Sequence, residues 1–198
     1  MSFQTLFEIQ QSMTVNNRRM VGQQVARSGY ITVAQYLTAV PWVFTITPHA
    51  YLYYPQVRDV IQSIDNKDRQ LPETITFNST NLSWFTEMRG TATAATLNGA
   101  PAAYTLTLAL NSNGTFKAGD FIMISGYTYK VTADSAGSSV GINRPLIGLP
   151  ASGTTVSIGN ACTFNVVAES CPTYTLNPMT DGAFVQWDSP FVFREYIV

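Results

Sequence analysis

Trp42-Val43-Phe44-Thr45-Ile46-Thr47 alternates apolar and smaller or polar side chains with a period of two. Successive side chains of an extended chain point to opposite sides, so Trp42, Phe44 and Ile46 share one face and the stretch reads as a half-buried strand. Tyr104-Thr105-Leu106-Thr107-Leu108-Ala109-Leu110 repeats the pattern, which predicts a common face for Tyr104, Leu106, Leu108 and Leu110. Phe121-Ile122-Met123-Ile124 and Tyr127-Thr128-Tyr129-Lys130-Val131 flank Ser125-Gly126, a two-residue hairpin signal. Residues 21–27 and 30–36 flank Ser28-Gly29 in the same way, and the chain closes with strand-like runs at 183–187 and 191–197. β-Branched and aromatic residues at short, turn-punctuated intervals predict a mainly β protein, a barrel or a sandwich.

One segment breaks that period. Val57, Val60, Ile61 and Ile64 recur at i, i+3, i+4 and i+7, the stripe of an amphipathic helix over 56–68. Pro55 suits its first turn and Leu71-Pro72 ends it. The other face carries Arg58, Asp59, Asp65, Lys67, Asp68 and Arg69, acids and bases alike, which argues against a helix that enters a DNA groove. One helix is expected, packed on a sheet.

Composition narrows the function classes. Of the 198 residues 12% are charged, about half the usual ~25%, and the net charge is −1. That excludes a basic nucleic-acid binder driven by counterion release and an acidic disordered tail. A near-neutral, charge-poor surface resists association poorly, so contact with other chains is expected. No apolar run approaches the ~20 residues of a membrane span. Met1-Ser2-Phe3-Gln4-Thr5-Leu6-Phe7-Glu8 has no basic region and no apolar signal core, so an intracellularly made, soluble protein is expected.

The residues available for chemistry are few. Two cysteines and one histidine cannot supply a four-ligand zinc site, and neither metal nor cofactor is expected. Cys162 and Cys171 lie nine positions apart; without an export signal they read as reduced thiols. His49 reads as a loop histidine, since no serine sits in a Gly-x-Ser-x-Gly context. The Asn-x-Ser/Thr matches at Asn78, Asn81 and Asn113 read as chance. Gly137-Ser138-Ser139-Val140-Gly141 lacks the lysine and following helix of a phosphate loop. Asp59, Asp65 and Asp68 read as a solvated helix face. Asp120 and Asp134 are the one pair worth weighing as a glycosidase couple, but both stand in turn contexts where aspartate is common. The expectation is a protein without catalytic residues.

Between Gly90 and Ser170 the chain turns rich in Ala, Thr, Gly and Ser, and its charges thin to Lys117, Asp120, Lys130, Asp134, Arg144 and Glu169. All three tryptophans (Trp42, Trp84, Trp187) lie in the flanks. This predicts a small β-domain over 90–170 inserted into a parent of 1–89 plus 171–198, with two sequential domains as the alternative.

Lys117-Ala118-Gly119-Asp120-Phe121-Ile122-Met123-Ile124, then Tyr127 to Asp134, Asn143-Arg144-Pro145-Leu146 and Thr154-Thr155-Val156-Ser157-Ile158, resemble a small β-module of structural proteins from tailed bacteriophages. The parent resembles the tail-tube-like proteins of phage tails and baseplates in Arg27-Ser28-Gly29, Trp42-Val43-Phe44, the helix over 56–68 and Phe191-Val192-Phe193-Arg194-Glu195. The similar stretches cover about half the chain. The resemblance implies a tube-like β-barrel whose edge strands pair between copies into a homohexameric ring at the tube-initiator, distal-tail or baseplate-hub level of a virion tail. DNA would pass through the lumen without specific binding, and the inserted module would face outward toward sheath, wedge or hub proteins. Glu8 and Glu195 are then candidates for the lumen wall.

The aromatic cluster Tyr51-Leu52-Tyr53-Tyr54-Pro55 abuts the helix start and reads as interface core. Trp42, Phe44, Arg194 and Glu195 join Tyr51, Tyr53 and Tyr54 as interface candidates. The competing reading is a carbohydrate-binding module of a tail tip or cell-surface protein, with Trp84, Trp187 or the 51–54 cluster as its stacking platform.

Overall fold

The computed structural model describes residues 3–17, 21–25, 31–35, 40–50, 52–66 and 71–198. In chain order the first elements are α1 (Phe3–Glu8), β1 (Gln10–Asn16), β2 (Val21–Val25), β3 (Ile31–Gln35), β4 (Val43–Pro48) and β5 (Leu52–Tyr53). Then come α2 (Tyr54–Asn66), β6 (Glu73–Thr76), α3 (Ser83–Thr86), β7 (Ala95–Leu97), β8 (Thr107–Ser112), β9 (Phe121–Ile124) and β10 (Tyr127–Lys130). The last are β11 (Ser139–Gly141), β12 (Thr155–Ile158), β13 (Thr163–Ser170), β14 (Tyr174–Met179), β15 (Gly182–Trp187) and β16 (Phe191–Glu195). The chain is mainly β, with sheets curled into half-barrels.

The single expected helix is present as α2, and α1 and α3 are additions to it. In α1, Phe3, Leu6 and Phe7 are buried at i, i+3 and i+4. Six residues are too few for periodicity to stand out in sequence. Its opening amides are satisfied from a distance: Phe3 N and Gln4 N donate to the Glu73 carboxylate at 3.4 and 3.3 Å, placing a negative charge at the positive end of the helix.

Contacts divide the chain into two compact units. The first comprises Met1–Asn16, Pro41–Trp84 and Phe164–Val198; the second comprises Asn17–Val40 and Phe85–Thr163. These bounds depart from a 90–170 insertion in a parent of 1–89 plus 171–198. Residues 17–40 group with the charge-poor stretch, and the crossings fall at 84/85 and 163/164.

The first unit is built on a five-stranded sheet of order β1-β4-β16-β13-β6. Antiparallel register sets Phe44 opposite Phe193 and Ile46 opposite Phe191. Trp42, Phe44 and Ile46 are buried as their alternation requires, together with Phe164, Val166, Phe191 and Phe193. The α1 side chains complete this core: Phe3 and Phe7 meet Phe193 at centroid distances of 5.0 and 5.3 Å. A second, three-stranded sheet of order β14-β15-β5 receives α2, whose Val57 and Ile61 pack on Val185.

The second unit holds a six-stranded sheet of order β10-β9-β12-β7-β8-β11 over a core that includes Leu97, Leu110, Phe116, Ile122, Tyr129 and Val140. Its β9–β10 hairpin turns at Ser125 and Gly126, with φ of 51° and 84°. Two successive positive φ values match the twist of the flanking strands, which explains the Ser-Gly pair. β8 begins only at Thr107, because Tyr104 has a φ of 57° and leaves the extended conformation. Leu108 and Leu110 are buried, whereas Tyr104 and Leu106 face solvent, against the four-residue face expected there. β2 and β3 pair from Val21↔Gln35 to Val25↔Ile31 as a two-stranded ribbon; their expected turn at Ser28-Gly29 lies outside the described residues.

Candidate functional site

The seven interface candidates divide by burial. Trp42 and Phe44 are 2% and 0% exposed, so neither has surface left for a partner chain. The aromatic strand that suggested a contact face is instead the centre of the first unit: Phe164 stands 5.5 Å from Trp42 and 5.1 Å from Phe44, each edge to face. Glu195 is also buried, and this removes it from both the interface and the lumen wall. Its carboxylate accepts from Trp42 N at 3.0 Å while its own N donates to Trp42 O at 2.7 Å. The carboxylate locks β16 against the entry to β4.

Arg194, on the opposite face of β16, is half-exposed and forms a fork to Glu169, Nε–Oε2 at 3.1 Å and Nη2–Oε1 at 3.0 Å. Its guanidinium is therefore already committed across β13 and β16. Tyr53 and Tyr54 are half-buried. The Tyr53 ring packs on Phe184 and its hydroxyl donates to Asp181 O, while Tyr54 packs on the Val57–Ile61–Val185 cluster. Tyr51 lies outside the described residues.

Backbone edges offer more than these side chains. β1 and β6 end the five-stranded sheet, and their edges are treated differently. At β6 the Gln4 carboxamide mimics a peptide group: Thr76 N donates to its Oε1 at 2.9 Å and its Nε2 donates to Thr76 O at 3.0 Å. That edge is capped from within the chain. Among the described residues β1 has a strand neighbour on one side only, β4, and its exposed positions include Gln11, Ser12, Thr14 and Asn16. The β2–β3 ribbon likewise has no third strand among the described residues. Two-stranded ribbons are marginal alone, and an uncovered strand edge is a template for another chain.

The first unit also contains a groove of about 540 Å³ lined by Glu8, Gln10, Gln11, Ser12, Met13, His49, Asn81 and Trp84. Trp84 is 59% exposed, and its Nε1 donates to Asn81 O at 2.8 Å. Of the tryptophans weighed as platforms, Trp187 is half-buried and packs 5.8 Å from Phe191, and Trp84 is the more exposed. The polar lining went unread in the sequence because Glu8 to Met13, His49 and Asn81 share no motif. A larger concavity of about 780 Å³ in the second unit, over Thr93, Thr96, Ser112, Gly137 and Ser157, carries no aromatic or charged lining residue among the described residues.

The carboxylates weighed for hydrolysis have other work. Asp120 is fully buried and accepts from Arg89 N at 2.8 Å, Gly90 N at 3.1 Å and Lys117 N at 2.7 Å. Asp134 is exposed. Its hydrogen bond from Lys117 Nζ at 2.8 Å, then that from Ala118 N, hold its carboxyl below the ordinary carboxylate range. A buried amide acceptor and a surface ion pair do not make an acid–base couple in a cleft. Among the described residues no group of three or more His, Cys, Asp or Glu is placed to hold a metal ion. No helix among them is long and apolar enough to cross a membrane.

Both cysteines are free thiols. Burial pushes the Cys162 thiol up from 9.0 to about 12, and Cys171 is half-buried. Below pH 9 the Cys162 thiol is protonated in the folded and unfolded chains alike. Above it the unfolded chain loses a proton that the folded one keeps, so this group lowers stability as pH rises from 9 toward 12. Iodoacetamide at pH 8 should alkylate Cys171 first and reach Cys162 only on unfolding, as peptide mass spectrometry would show.

No protein-family model matches the chain, and no curated protein matches it in sequence.

Proposed function

We propose that this chain is a non-enzymatic structural subunit that closes into a homo-oligomeric ring by pairing strand edges between copies. Following its resemblance to tail-tube-like proteins, the ring would be a hexamer at the tube-initiator, distal-tail or baseplate-hub level of a phage tail. It would be assembled in the bacterial cytoplasm, join tube to baseplate and pass DNA without specific binding.

One observation carries this reading, the asymmetry of the sheet edges. Gln4 closes the β6 edge, while among the described residues β1 and the β2–β3 ribbon keep edges that a neighbour can extend. A closed head-to-tail ring needs such unlike surfaces on one protomer, and closure limits what would otherwise be open-ended association. The low charge content fits a surface covered by other copies. The engagement of Asp120 and Asp134 in structure supports a role without catalysis.

Light scattering and negative-stain microscopy test the proposal. Annular particles whose mass is a multiple of 21.7 kDa are expected. The double variant Thr14→Lys, Asn16→Lys places two lysines on the β1 edge, where charge opposes strand addition, and should shift the population to monomers. A wild-type chain that stays monomeric to its solubility limit, or annular particles indifferent to those lysines, would overturn it.

A further inference from the structure

The groove beside Trp84 combines an exposed aromatic side chain with three carboxamides and a hydroxyl. From that combination we infer that it is a binding site for an uncharged pyranose oligosaccharide. The inference does not rest on the ring reading, because the described lining residues all belong to one unit of one chain.

The platform is preorganised. Leu82 N and Ser83 N both donate to Ser79 O, at 3.1 and 2.8 Å, winding the chain into α3. Leu82 is fully buried and anchors that turn, while Trp84 projects beyond it. The Nε1 bond to Asn81 O fixes the ring pitch and satisfies the only polar atom of the indole. What remains exposed is an electron-rich face on a restrained side chain, so little freedom is lost on binding. The axial C–H bonds of a pyranose ring complement such a face.

The rest of the lining supplies the polar half of the match. Gln10, Gln11, Ser12 and Asn81 bring three carboxamides and a hydroxyl, and His49 adds an imidazole. Each carboxamide donates and accepts in one plane, which suits sugar hydroxyls that do both. An apolar ligand would leave these groups without partners. The volume of about 540 Å³ lies within the range of small-molecule sites, about 300–1,000 Å³.

Charge selects among sugars. Glu8 contributes a carboxylate, held by Gln4 Nε2 at 3.1 Å, and among the described residues no lysine or arginine lines the groove. A uronic or sialic acid, or a phosphorylated ligand, would meet the like charge of Glu8. Neutral hexoses and N-acetylhexosamines meet no such opposition.

The test uses the full chain with chitotriose, maltotriose and trigalacturonate, followed by saturation-transfer NMR and calorimetry. Saturable binding of at least one neutral trisaccharide is expected, weakened about tenfold or more in Trp84→Ala and by less in Trp84→Phe, which keeps a stacking face. Trigalacturonate should bind about tenfold more weakly than the neutral sugar, and Glu8→Gln should narrow that gap. No saturable binding of either neutral sugar, or binding unchanged in Trp84→Ala, would overturn the inference. Annular particles that bind no sugar would end it while leaving the ring reading intact. Sugar-binding monomers would uphold it and end the ring reading instead.

Discussion

Asp120→Ala is expected to cost the second unit about 4 kcal/mol, because three partly buried backbone amides lose a buried charged acceptor at once. The donors come from two places in the chain, Arg89 and Gly90 on one side and Lys117 on the other, so the carboxylate ties β9's entry to the segment before β7. The approach is close: a Cβ on Gly90 would lie 2.8 Å from Asp120 Oδ2 and 2.2 Å from Thr115 O. Water has little room to replace the lost oxygens. Hydrogen bonds to a charged acceptor contribute roughly 1.5–3 kcal/mol each, and the three are coupled, so their sum overstates the loss. Asp120→Asn retains one acceptor oxygen but turns an NH₂ toward the donors, and should fall between wild type and alanine. Native-state hydrogen exchange at Gly90 and Lys117 reads the effect directly, as a drop in opening free energy confined to the second unit. A catalytic role would predict the opposite profile, lost turnover with protection intact.

Asp120 also shows where sequence reading stops. Gly119-Asp120 is legible as a turn, and the turn is there, with Gly119 at a φ of 102°. What the local pattern cannot carry is that the side chain points inward to amides some thirty positions away. Periodicity reports burial wherever one face of an element meets a core: Phe44 and Ile46 on β4 with Trp42 just before it, and Val57, Ile61 and Ile64 on α2. It failed at Tyr104 and Leu106, where a single positive φ ended the alternation that the letters continued. It also gave no means of separating a buried aromatic from an interfacial one, since both are apolar at period two. Trp42 and Phe44 therefore read as contact residues in sequence yet lie at the centre of the first unit's core.

The edge asymmetry and the Trp84 groove were unreadable for a related reason. Gln4 caps Thr76 across 72 positions, and nothing about an isolated glutamine marks it as a surrogate peptide group. The groove gathers polar residues from three separate segments, and each segment alone looks like ordinary surface. Strand existence is local information. Which strand is left open, and what lies beside it, depends on distant pairings.

Phe44→Ala separates a core role from an interfacial one and should be the most destabilising substitution in the first unit. Phe44 is fully buried and its ring neighbours Phe7, Trp42, Phe77 and Phe164 at 5.6, 6.3, 6.2 and 5.1 Å. Truncating a buried phenylalanine costs about 3–5 kcal/mol in transfer and cavity terms, and the lost ring pairs place this site toward the top of that range. Collapse would be poor, because Phe44 is held on both sides, by Val15 on β1 and Phe193 on β16. Phe44→Leu restores most of the volume and should cost about 1–2 kcal/mol. Urea unfolding at a dilution where only monomer is present measures this, with the midpoint falling and the slope unchanged. If Phe44 acted between subunits, the monomer midpoint would stay put and only assembly would weaken. The fold places the loss in the monomer, so any effect on rings should follow from that instability and be rescued in step by Phe44→Leu.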